Sequence, residues 1–118
     1  MPENIHVSID MATPVVVKLA AYERENNCKI NAENASESLE LYRSLRDFVM
    51  YSNGEITDIT VSDKTVLFTS KIAYFDVYSD SKKLFIDMLS HSSFLNITPV
   101  NGDYIIMEVG VNFILEEV

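Results

Sequence analysis

The sequence predicts an α+β fold: a mainly antiparallel sheet with about three helices, in the order β-α-α-βββ-α-ββ(β). Three observations carry this. One stretch in the first half repeats its apolar residues with helical period, at Leu41, Tyr42, Leu45, Phe48 and Val49. The second half holds short runs rich in branched and aromatic residues, separated by turn-forming pairs such as Asn101-Gly102. The helical patterns are also segregated from the hairpin patterns, which favours α+β over a parallel α/β sheet.

The opening residues alternate, with Ile5, Val7, Ile9 and Met11 on one side and Asn4, His6, Ser8 and Asp10 on the other. Period two over 4–11 predicts a half-buried strand. Thr13-Pro14 reads as an N-cap with proline at the first helical position, where its missing N–H costs nothing. Val15, Val16, Leu19, Ala20 and Tyr22 then supply the apolar face of a helix over 14–26, although three consecutive valines also suit a strand. The second helix, 34–52, opens on Asn34 with Glu37 as an approximate capping box. It stops at Asn53-Gly54, where either residue tolerates left-handed backbone.

From Glu55 the pattern is that of strands. Ile56 to Val61 forms one, Ser62-Asp63-Lys64 turns the chain, and Thr65 to Thr69 returns. A third strand is expected over Ile72 to Tyr78. Ser79 or Asp80 then caps a third helix that buries Leu84, Phe85, Met88 and Leu89, with His91 near its end. Leu95–Val100 and Tyr104–Val109 flank Asn101-Gly102 as a hairpin, and Gly110 reads as a bulge before a last strand, Val111–Leu115.

With 118 residues, 47% of them hydrophobic and only three glycines and three prolines, the chain is expected to form a single globular domain over 1–118. Nine basic against 18 acidic residues leave a formal net charge of −9. Direct nucleic-acid binding needs a basic surface, so none is expected, and an anionic membrane is disfavoured for the same reason. A lone cysteine, Cys28, rules out an internal disulfide and a cysteine cluster, and neither a signal peptide nor a membrane span is visible. The expected location is cytoplasmic, in a cell or in an infected host cell.

No catalytic, cofactor-binding or metal-binding residues are expected. Gly54, Gly102 and Gly110 lie too far apart for a phosphate loop. Ser90-His91-Ser92-Ser93 places a base beside hydroxyls but without an orienting third group. His6 falls on the polar side of its strand. Asp58, Asp63, Asp76 and Asp80 suit turns better than acid–base pairs, and Cys28 has only Lys29 as a neighbouring cation. The aromatics stand out instead. Alternation sends Tyr74 and Tyr78 to one face, and tyrosine is enriched in interface hot spots.

From the second helix onward, the order α-βββ-α-ββ resembles the element order of the small acidic dimeric chaperones of type III secretion. It is also similar to half of a sliding-clamp subunit. The expected function is a non-enzymatic protein-binding module, a small acidic adaptor, chaperone or inhibitor acting through a sheet edge and exposed tyrosines. The alternatives are a small-ligand-binding or catalytic α+β domain and an acidic nucleic-acid mimic. The partner is expected to be another protein. A homodimer is also expected, because Val111, Phe113 and Leu115 read as an apolar terminal edge strand without Pro or Lys to blunt it. These three residues, with Tyr74 and Tyr78, are the interface candidates.

Overall fold

The computed structural model describes residues 3–73 and 82–117. Three helices cover one face of a four-stranded antiparallel sheet, an α+β architecture. Helix α1 spans Glu3–Asn26, α2 Ala32–Tyr51 and α3 Lys82–Ser90. The strands are β1 (Glu55–Ser62), β2 (Thr65–Ala73), β3 (Phe94–Val100) and β4 (Tyr104–Asn112), in the spatial order β1-β2-β4-β3.

The expected strand over 4–11 is instead helical, and Pro14 lies inside α1 rather than at its start. The same residues fit both periods. Met11, Val15 and Leu19 are four apart, so the alternation that suggested a strand is also part of a helical stripe. Downstream of Pro14 the stripe is anchored, with Val15 and Leu19 buried and Tyr22 half-buried against the core. The helical reading of 14–26 therefore holds, and the three valines yield to tertiary packing.

Helix α2 lies at the centre of the helical layer. Leu41, Leu45, Phe48 and Val49 are buried, as their spacing predicts, against Val66, Phe68 and Ile72 of β2 and Ile105, Met107, Val109 and Val111 of β4. Its N-cap is Asn31 rather than Asn34. The Asn31 Oδ1 accepts from the backbone N–H of Glu33 (3.0 Å) and Asn34 (3.2 Å). Asn34 does different work. Its Nδ2 donates to Glu37 Oε1 at 3.1 Å, and its Oδ1 accepts from the Ile114 N–H at 3.0 Å. Helix α3 packs on α2 through Phe85 against Phe48 (centroids 5.4 Å apart) and through Ser44 Oγ, which donates to Asp87 Oδ2 at 3.0 Å.

The separate strands expected at 65–69 and 72–78 are joined as far as Ala73 in β2, and the remainder of the second lies outside the described residues. The cap expected at Ser79 or Asp80 does too. Asp63 and Lys64 turn the first hairpin with φ of 51° and 61°, the two left-handed positions of a type I′ turn. Lysine has no intrinsic reason to sit there. Relief of the left-handed strain, ~1–2 kcal/mol, less the extra unfolded-state freedom of glycine, ~0.5–1 kcal/mol, gives Lys64→Gly an expected gain of up to about 1.5 kcal/mol. A urea melt with unchanged slope and a raised midpoint is the expected result, and an unmoved or lowered midpoint contradicts it.

The second hairpin closes on three residues, Asn101-Gly102-Asp103, between the paired Val100 and Tyr104, rather than on the two of a tight turn. Gly110 is not a bulge. It pairs in regular register with Leu67 on one side and Phe94 on the other, and the Phe94 ring occupies the space that a Cβ at 110 would need.

The largest correction concerns 111–115. Strand β4 is the last in sequence but an inner strand of the sheet, paired to β2 through Asn112 and to β3 through Gly110. Val111 and Phe113 are each 3% exposed, and the Phe113 ring stands edge-on to Tyr22 with centroids 5.3 Å apart. Past β4 the chain crosses to the α1–α2 connection. Asn31 N–H donates to the Ile114 carbonyl (2.9 Å), Glu116 N–H donates to the Lys29 carbonyl (2.7 Å), and Ile30 bridges Leu115. The segment read as an open edge is thus paired and buried within its own chain, so the ground for a dimer through it falls away.

Candidate protein-interaction surface

Among the described residues the sheet edges are β1 and β3. Strand β3 carries Pro99, whose missing N–H removes one donor from it. Strand β1 is interrupted near its start, where the register against β2 shifts between Ile56 and Asp58. The extra residue, Thr57, is tied by its Oγ1 to the Thr69 carbonyl at 3.1 Å. Beyond this bulge, Asp58 to Ser62 runs in regular register with β2 on one side and has no strand on the other among the described residues.

Helix α1 lies alongside this free edge and leaves a groove. One hollow of about 280 Å³ is lined by Lys18, Ala21, Tyr22 and Glu25 of α1 and by Asp58 to Val61. A second, of about 320 Å³, continues it past Pro14, Lys18 and Tyr42 toward Ile56 and Thr57. Lys18, Asp58 and Ile59 belong to both. The groove runs along the strand edge because period two splits β1 between faces. Ile59 and Val61 pair with the buried Phe68 and Val66 and so face the helices, whereas Asp58 and Thr60 pair with Thr69 and Leu67 on the open face. Thr60 Oγ1 donates to Asp58 Oδ2 at 3.0 Å, which steadies the carboxylate beside the edge.

The open face of the sheet presents a mixed surface. Phe94 and Tyr104 are each 41% exposed on it, the latter with Lys71 Nζ 4.2 Å from its ring centroid. A polar row, Asp58–Thr69–Glu108–Asn96, crosses between them, with Asn96 Nδ2 donating to Glu108 Oε1 at 3.0 Å.

Of the interface residues read from the sequence, Tyr74 and Tyr78 lie outside the described residues. Val111 and Phe113 are core, and Leu115 is half-buried against it. The groove between α1 and β1 was not among the expectations. The hydroxyls around His91 are engaged by backbone groups: Ser90 Oγ donates to the Asp87 carbonyl, Ser92 Oγ donates to the Leu89 carbonyl, and Ser93 Oγ accepts from the N–H of Asn112 at the end of β4. Cys28 is half-buried beside Lys29 in an open hollow that Glu116 and Glu117 also line. Among the described residues no three acidic, histidine or cysteine side chains gather as a metal site, and no helix is long and apolar enough to cross a membrane. No family model, curated protein or solved structure matches the chain.

Proposed function

We propose that the chain is a non-enzymatic protein-binding module that takes an extended segment of a partner protein along the free edge of β1, beneath α1. The observation that carries this reading is the groove itself, in which an unpaired stretch of strand faces a helix across a channel. Strand addition uses main-chain hydrogen bonds for affinity and pockets for alternate side chains for selectivity. The edge of β1 supplies the first, and Tyr22, Ala21, Ile59 and Val61 supply the second.

A random peptide library selected on the immobilised protein tests this. The expected binders are extended segments that shift the backbone amide resonances of Asp58 to Ser62. Ala21→Arg, a long side chain on a half-buried helical position in the groove wall, is expected to abolish their binding while leaving the thermal melt within a few degrees. Binders that survive Ala21→Arg, or that move amides elsewhere, overturn the assignment.

A further inference from the structure

Resting on that reading, we infer that the segment taken by the groove is basic and alternating. It is about five residues long, with apolar side chains toward α1 and Lys or Arg between them.

The length follows from the bulge. Thr57 breaks the edge, and the first hairpin turns at Asp63, so the regular stretch open to a new strand is Asp58 to Ser62. At ~3.4 Å per residue an added strand of about five residues spans it.

The alternation follows from the two faces. A strand laid beside β1 sends every second side chain toward the helical layer, where it meets Tyr22, Ala21, Ile59 and Val61. The Lys18 stem can pack along apolar groups there while its ammonium stays in water. The intervening side chains emerge on the open face, beside Asp58.

The sign follows from charge. Strand β1 carries Glu55 and Asp58 and no basic residue, Glu25 stands at the groove wall, and among the described residues Lys18 is the one base lining either hollow. The chain as a whole carries a formal charge of −9, which on balance favours approach of a cationic segment over an anionic one at low ionic strength.

Three blocked five-residue peptides test this, alternating lysine, serine or glutamate with valine and followed by anisotropy and amide shifts at low ionic strength. The lysine peptide is expected to shift the amides of Asp58 to Ser62 and to bind about fivefold or more tighter than the serine peptide, with the glutamate peptide weakest. Asp58→Asn keeps an acceptor for Thr60 and is expected to bring the lysine peptide to within about twofold of the serine peptide, both measured on the variant. Equal binding of the lysine and serine peptides at β1 overturns the charge preference but leaves the groove reading standing. A lysine peptide that moves amides scattered over the surface marks non-specific attraction and overturns the inference. Failure of all three peptides to reach β1 overturns the groove reading and the inference together.

Discussion

Leu45→Ala is expected to destabilise the fold by about 3–5 kcal/mol, the upper part of the range for truncating a buried leucine. The cost of such a truncation depends on how far the surroundings can collapse into the space left behind. Leu45 is fully buried at the middle of α2, and that helix touches α1, α3 and three of the four strands. Its neighbours one turn away on the same stripe, Leu41, Phe48 and Val49, are themselves buried and held from the other side. Tyr42 stacks toward Phe68 with centroids 5.9 Å apart, and Phe48 lies against Phe85. A helix held on several sides cannot slide to close a void, so most of the cavity persists. A urea melt should show a lower midpoint with the slope retained. A change below about 1 kcal/mol would mean that the stripe does not face the sheet. Leu39, only half-buried, gives the comparison: Leu39→Ala should cost clearly less.

That stripe was legible because two independent signals agreed on it: a 3.6 period and Asn53-Gly54 at the end. The first hairpin was legible from the polar run Ser62-Asp63-Lys64 between two branched, apolar stretches, although Lys64 does not suit the left-handed backbone it adopts. The misreadings have physical causes. Asn34 looked like the cap because it stands three residues before Glu37. Its carbonyl is in fact engaged by Ile114, 80 residues away, and no local pattern can show that. At 4–11, period two and period four coincide in Ile5, Ile9 and Met11, Val15, so the alternation could not decide between strand and helix. The terminal strand reads as an edge because it comes last in the sequence, whereas the order β1-β2-β4-β3 makes it an inner one. A trace of this was present. From Ile105 to Val111 only Glu108 is charged, whereas an exposed edge strand is commonly blunted by charged residues or proline. The groove could not be read at all, because it requires β1 to be a true edge and the helix over 14–26 to lie beside it, which no local pattern shows.

Phe113→Lys is the substitution that separates the two readings of 111–115, and its expected cost is about 4 kcal/mol or more. Were the segment an open edge joining two copies, a lysine there would split a dimer and leave each subunit folded. The structure places the ring 3% exposed, edge-on to Tyr22, just beyond the point where β4 leaves β2. The backbone around it is fixed on both sides. Phe113 N–H donates to the Lys64 carbonyl at 2.9 Å, and Ile114 is held to Asn31 and Asn34. The new ammonium therefore cannot reach water without breaking the crossing to the α1–α2 connection. Burying it unpaired is costlier still, and the aromatic contact with Tyr22 is lost either way. Because total stabilities of small domains are only ~5–15 kcal/mol, a large part of the folded population should be lost at ambient temperature. Phe113→Leu, which keeps an apolar group in place, should retain most of the stability. The discriminating measurement is the dependence of the unfolding midpoint on protein concentration. With 111–115 paired inside one chain, the wild-type midpoint should not move over a hundredfold range of concentration, whereas a dimer joined through this segment must gain stability with concentration by mass action. A midpoint that rises with concentration in the wild type, together with a folded, half-mass Phe113→Lys, would return the segment to an intermolecular role.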